Sequence, residues 1–531
     1  MKDTRDRWFR ALCAGVLALV VVGLAACGSS DDDVSGGSGG SEDGGDPVSG
    51  GTLTVLTYSD GNGYDPTKFQ TSVLGGDTYR LYAVYDALLY ADSATSEVVP
   101  HLAESMTSSD GMNWELKLRP DLEFSDGTPL DAEAVKFNWD RHVDPELASP
   151  SAPAARSLSY AVVDDTTLSV KIDAPNYQLP RIIADNLTFI GSPTAIQAAS
   201  DRDDYAQHPI GAGPFTLTSY TPTVDAQFER NPTYWNAPRP YVDKLVVKTV
   251  PDETQRLNAF QSGQGDINLS NELNTVTQEK AAGPVYSPQA LNTFVFWPNL
   301  AKPPFDDVRV RKALQLAIDV EQINEQVDQG LGGVPATLFP EETGLSDDSV
   351  VYPEPDLAEA QDLIDEYVAE TGSDVEFTFT TATSARSTLT AQAIQAQLGE
   401  LENVKMDVKS QAPAANLADY TAGNFDAFYF IYQGSDPESQ FLELVLSSGT
   451  RNFQTYDNPA VDDLVVEVRA TQDTDERAQL LIDMQKELID TMPFFPLQRT
   501  PSFWAYNDNV QGMEEAGIND GTIRTDELWL K

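Results

Sequence analysis

Groups able to do covalent or metal chemistry are scarce in this 531-residue chain, and their spacing does not suit it. His101, His142 and His208 are the three histidines, and none lies within four residues of another, as paired zinc ligands on one helix do. No H-E-x-x-H, C-x-x-C or Walker A loop occurs. Gly36-Gly37-Ser38-Gly39-Gly40 satisfies G-x-S-x-G, but a nucleophile elbow needs a strand before it and a helix after it, and neither pattern is there. Asp60-Gly61-Asn62-Gly63-Tyr64-Asp65 opens like a calcium loop, yet Tyr64 stands where the third oxygen ligand belongs, so a turn is expected. Acidic pairs such as Asp164-Asp165, Asp306-Asp307 and Asp462-Asp463 read as solvated faces or helix starts rather than acid–base centres. No metal site and no cofactor is therefore predicted. Noncovalent recognition remains, which needs aromatic walls and a few hydrogen-bonding groups but no nucleophile.

Composition points the same way. With 34 Lys and Arg against 83 Asp and Glu, the net charge of −49 would repel phosphate, which excludes nucleic acid as a partner. Hydrophobic residues at 41% and charged residues at 22% are those of a folded chain, long enough for two to four domains.

The elements that would position a binding site are legible in part. Thr52 to Thr57 alternates as a strand, as do Trp114 to Leu118 and Leu168 to Ile172. Phe124 and an Asp126-Gly127 turn lead into a helix from about Asp131 to Trp139. After Asp306-Asp307, the residues Val310, Ala313, Leu314, Ala317 and Ile318 recur with helical period. Ala360, Leu363, Ile364 and Tyr367 repeat it and stop at Gly372. Val375 to Phe379, Val404 to Val408 and Phe425 to Tyr432 read as strands, with a helix over 386–401, giving an α/β unit around a mainly parallel sheet. Ligands of such sheets bind beyond the carboxyl ends of the strands. That rule selects Thr381 and Arg386 after one strand, and Tyr432, Gln433 and Ser435 after another. Tyr58, Ser59 and Asp60 occupy the same place after the first strand.

The amino terminus reads as an export signal. Lys2, Arg5, Arg7 and Arg10 precede an uncharged apolar run over 11–26, too short to span a bilayer but of signal-peptide length. Leu24-Ala25-Ala26-Cys27 resembles the lipobox of bacterial lipoproteins, which implies cleavage after residue 26, lipid on Cys27 and an extracytoplasmic, membrane-anchored protein. Losing Cys13 with the signal leaves Cys27 without an intramolecular disulfide partner. Residues 27–51, rich in Gly, Ser and Asp, are expected to form a disordered leash.

Several further stretches, taken in order, resemble the extracellular solute-binding proteins of family 5, the peptide- and nickel-type receptors of ABC importers. They are His101-Leu102-Ala103-Glu104-Ser105 through Phe124-Ser125-Asp126-Gly127-Thr128-Pro129, Gly211-Ala212-Gly213-Pro214-Phe215, Asn231-Pro232-Thr233-Tyr234-Trp235, Phe260 to Asp266, Pro304 to Asp319, and Tyr456 with Asn458-Pro459 and Asp462. The resemblance implies an α/β, periplasmic-binding-protein-like fold of type II in its large three-domain form, two lobes joined by a two-strand hinge. Domain I would comprise 52–95, 206–290 and 495–531, domain II an insertion over 96–205, and domain III 291–494. The hinge crossings are expected near Thr293 to Asn299 and Met492 to Leu497, which adds Trp297 to the candidate contacts. Gly211 and Gly213 are read as permitting a tight turn.

The implied function is capture of a small solute or oligopeptide between the lobes, with ABC permease subunits as membrane partners and a monomer as the working state. Peptide receptors of this family hold the ligand's ammonium group with an aspartate four residues before a proline. Gln433 occupies that place in Gln433-Gly434-Ser435-Asp436-Pro437, so Asp436 or Asp60 must substitute, or the ligand has no free amino terminus. An extracellular lipoprotein hydrolase and a solute-sensing or adhesion lipoprotein on the same fold are the competing readings.

Overall fold

Three hydrophobic cores, each lined by its own sheet, organise the chain. The computed structural model describes residues 46–531 except 70–77, 94, 271–272, 288–291, 433–435, 501–502 and 519–520. Cys27, the export signal, most of the leash and the Gly36 to Gly40 stretch lie outside the described residues, as do Gln433 and Ser435.

The first core is built on a seven-stranded sheet with Thr52–Thr57 near its centre, parallel to Lys244–Thr249 on one side and to Ile267–Ser270 on the other. Leu53 and Val55 are fully buried, as the alternation requires. Asp225–Arg230 and Phe215–Thr221 extend one edge, and Phe503–Tyr506 and Val285–Tyr286 extend the other.

The second core belongs to an insertion. Its four antiparallel strands run in the order Ala103–Ser108, Asn113–Leu118, Thr167–Lys171 and Ser159–Asp164. Trp114, Leu116 and Leu118 point inward to meet Trp139 of the helix Ala132–Val143, which Asp131 caps at Ala134 N. The buried members of this core run from Leu88 to Ala212, beyond the expected 96–205 at both ends.

The third core surrounds a five-stranded sheet in the order Val404–Gln411, Val375–Ala382, Ala427–Tyr432, Thr293–Pro298, Phe495–Arg499. Four strands run the same way and Thr293–Pro298 opposes them. Asp307 caps the helix Val308–Ala317, and Leu357–Thr371 ends on Gly372 in the left-handed region (φ 70°), both as the residues predict. The helix Pro413–Thr421 was not anticipated. It is short, begins on proline and leaves Leu417 half exposed, so it carries little amphipathic signal.

The hinge expectation needs correction. Thr293–Pro298 and Phe495–Arg499 are paired strands inside the five-stranded sheet, and Phe495 and Leu497 are buried in its core. The chain passes between the two large sheets between Tyr286 and Thr293 and again between Arg499 and Phe503, and Thr500 N donates to Asn292 O at 3.0 Å, tying the two crossings together.

Several family-like motifs meet at one buried residue. Asp86, at φ 60° after the helix Thr78–Tyr85, accepts from Tyr234 Oη at 2.8 Å and Trp235 Nε1 at 2.9 Å, and His101 Nε2 lies 2.8 Å from its other oxygen. Burial alone would raise this carboxyl, but His101 and the two hydrogen bonds hold it below the usual carboxylate range. Gly211 and Gly213 serve this junction by close approach and not by a turn. A Cβ at either would lie 2.2–2.4 Å from backbone atoms of Val84.

His142 sets a pH limit on the fold. Its ring is buried with Nδ1 2.7 Å from Ser149 Oγ, and burial, with the Arg141 charge beside it, lowers it to about 4. The unfolded chain takes up a proton near pH 6.5 that the native chain refuses, so this residue removes stability as pH falls. Between pH 7 and 5 the wild type should lose about 2 kcal/mol more than His142→Gln, measured by chemical denaturation.

Candidate functional site

The strand ends of the five-stranded sheet carry a connected polar group. Ser384 caps the helix Ala385–Leu398, which places Arg386 in its first turn just beyond the strand Val375–Ala382. Arg386 forks onto Asp328, with Nε to Oδ1 at 2.7 Å and Nη2 to Oδ2 at 2.8 Å. Asp328 also accepts from Gln498 Nε2 at 2.8 Å, and Gln498 Oε1 accepts from Tyr429 Oη. The Arg386 guanidinium sits 5.2 Å over the Phe294 ring, and that ring stacks on Tyr429 at 4.6 Å. Phe294, Asp328, Tyr429 and Gln498 come from four separate elements and were not anticipated. Only Arg386 of this group sits where a strand-end rule looks.

Thr381 is fully buried, and its Oγ1 has no hydrogen-bond partner among the described residues. A hydroxyl buried in that state costs stability.

Two other predicted contacts are core residues. Trp297 is buried among Phe425, Phe430 and Phe453, with the Phe430 ring centroid 3.8 Å away. Tyr432 is buried against Phe441 and donates its hydroxyl to Leu338 O at 2.9 Å. Aromatic bulk favours burial, and the sheet interior satisfies it here.

On the seven-stranded sheet, Ser59 Oγ accepts from Gly61 N at 3.0 Å, and the Tyr58 ring lies 5.7 Å from the buried Arg256 guanidinium. Asp60 is committed to its own lobe. Its carboxylate accepts from Arg80 Nη1 at 2.9 Å, Tyr220 Oη at 2.6 Å and Thr223 N at 2.9 Å. Asp436 is likewise held by Arg477 at 2.9 and 2.8 Å, which overcomes the cost of burial and keeps its carboxyl low. Neither fallback acid is an unpaired carboxylate.

A cavity of about 520 Å³ opens beyond the carboxyl end of the strand Ala427–Tyr432, within the range of solute sites. Leu345, Asp436 and Arg477 line it from the α/β side, and Val98, Met106 and Tyr177 from the insertion. None of the described predicted contacts reaches it. Asp436, four residues after Tyr432, lines it, and its insertion wall had no counterpart in the strand-end argument.

A serine–histidine hydrogen bond exists, His142 to Ser149, but both residues are buried in the insertion and the imidazole is kept neutral. Among the described residues, no cluster of three or more His, Cys, Asp or Glu is arranged to hold a metal ion, and no helix is long and apolar enough to cross a membrane.

Known proteins share this architecture. The sequence pattern of the bacterial extracellular solute-binding proteins, family 5 Middle, matches residues 97–453. The periplasmic oligopeptide-binding protein OppA of Escherichia coli is 26% identical over 441 residues, covering 76% of this chain and 79% of its own. Heme-binding protein A of Haemophilus influenzae is 25% identical over 537 residues, covering 93% and 95%. Among solved structures, DppA from Helicobacter pylori in complex with the peptide STSA superposes with a TM-score of 0.75 at 22% identity, covering 91% of this chain and 98% of its own. NikA from Brucella suis in complex with Fe(III)-EDTA gives 0.76 at 23%, covering 91% and 100%. The fold is the type II periplasmic-binding-protein fold that the motifs imply, and the chain belongs to the bacterial extracellular solute-binding proteins of family 5.

Proposed function

We propose that this protein is the lipid-anchored, extracytoplasmic receptor of an ABC importer, a monomer that captures a small peptide-like solute between two lobes and delivers it chemically unaltered to the permease. The observation that carries this reading is the pair of crossings between the sheets, tied by Thr500 N to Asn292 O. Lobes joined only there and at their rims can rotate about that line, and a solute touching both sides stabilises the closed form by its differential contacts.

We divide the chain into 46–87, 213–286 and 503–531 for domain I, 88–212 for domain II and 293–499 for domain III, with Phe189 and Tyr205 reaching from domain II into the first core. The solute lies against the strand ends of domain III, where Thr381 donates a hydrogen bond beside the Arg386–Asp328 ion pair that the Phe294 ring supports. Ser59 and Tyr58 face it from domain I, and the cavity against the insertion extends the chamber. The oligopeptides named for OppA, and the peptide bound to DppA, support a peptide-like ligand. The same chamber needs no reacting group, so no bond is made or broken.

Mass spectrometry of solute released by denaturing the purified protein should find one small compound class, and incubation with that solute should return it at unchanged mass. A converted product would refute the receptor. Thr381→Val should leave stability unchanged or higher, because a costly buried hydroxyl is removed, and should weaken solute binding roughly tenfold. Calorimetric titration and denaturation on the same variant check both halves. Cys27→Ser should release the protein from washed membranes into the soluble fraction, which immunoblotting of the two fractions reads.

A further inference from the structure

The insertion touches the α/β lobe through a buried group of charges. Its helix Leu179–Asn186 packs on the short turn Pro437–Ser439, and Tyr177 N donates across the contact to Arg469 O at 2.7 Å. On the insertion side, Arg181 and Asp185 pair within the helix at 2.8 Å. On the lobe side, Asp436 pairs with Arg477 at 2.8 Å, and Arg469 bridges Glu438 at 2.8 Å and Glu443 at 2.9 Å. Arg181 and Asp436 both border the cavity.

Glu438 is the member of this group with an unanswered demand. Its carboxylate is buried, one oxygen meets Arg469, and Oε2 has no hydrogen-bond partner among the described residues. Asp436 stands two residues away with like charge, donating nothing, while it accepts from Glu438 N at 2.8 Å. An ionised carboxylate left half-bonded beside another is unfavourable, and one proton removes the conflict.

We propose that this contact is a proton-linked latch on the closed cleft, in which docking of the insertion helix covers Glu438 and its carboxyl group takes up one proton from solvent. Burial, with the Asp436 charge beside it, pushes Glu438 up to about 7, against an ordinary glutamate near 4.3 once the helix lifts and water returns. Asp185 is also raised by burial. Its partner Arg181 lies in the same helix and travels with it, while the Asp436 charge faces it across the contact. The sign follows by linkage: the closed form binds more protons, so the latch is fully engaged at low pH and weakens as pH rises through about 7.

The latch rests on reading the lobes as closing around a solute, but its test needs no solute, so its failure would leave the receptor standing. The Tyr177 amide reports opening directly through hydrogen–deuterium exchange, because its acceptor lies across the contact. In the wild type, protection of that amide, corrected for intrinsic chemistry, should fall roughly tenfold between pH 6 and pH 8. Glu438→Gln keeps the shape and mimics the protonated form, so its corrected protection should not change with pH. A flat wild-type profile, or a parallel fall in Glu438→Gln, overturns the proposal. Should that variant fail to fold, the wild-type profile alone decides, since pH-independent protection there refutes proton uptake on docking.

Discussion

Two chain crossings between two sheets constrain everything else about this molecule. A lobe attached by one crossing would swing freely, and one attached by a broad interface would not swing at all. Here the chain enters the five-stranded sheet at Thr293, beside Arg499 where it leaves, and the two strands are adjacent in the ladder. The Thr500-to-Asn292 hydrogen bond joins the described ends of the two crossings. Each lobe has its own core, so most of the buried apolar contact lies within the lobes.

Charge is the second organising theme. Among the described residues, several buried or half-buried carboxylates are paired with arginine. Asp60 is held by Arg80, Asp65 by Arg141 and Arg202, Asp185 by Arg181, Asp328 by Arg386 and Asp436 by Arg477. Arginine serves because its planar fork satisfies both carboxylate oxygens at once and remains charged when buried. These pairs stiffen the loops at the strand ends, where a receptor needs its contacts held in place before the solute arrives. They also explain why Asp60 and Asp436 do not offer a ligand an unpaired negative group, and why the Gln433 departure has no simple replacement among the described residues.

Local signals were the legible ones. The cap at Asp307, the stop at Gly372 and the alternation of Thr52–Thr57 act within a turn or a strand, and the structure has them where the residues predict. The ordered motifs carried the family and the fold because their residues converge in space, as His101, Tyr234 and Trp235 do on Asp86. The site was legible only where it follows from topology. Thr381 and Arg386 sit at a strand end, but Asp328 reaches Arg386 from 58 residues away and Gln498 reaches Asp328 from 170, and no spacing announces such contacts. Tyr432 was expected at a strand end and Trp297 at a crossing, but both lie in the core of the five-stranded sheet, where apolar area favours burial. The insertion wall of the cavity was missed because the strand-end rule considers one lobe at a time.

The central claim is that the two lobes shut on a solute about the paired crossings. Small-angle X-ray scattering tests it most directly, on the purified protein as isolated with its solute and again after that solute has been stripped by reversible denaturation. The radius of gyration should be larger after stripping and return to the smaller value when the released solute is added back. An identical radius in all three states, with binding verified independently, would contradict it.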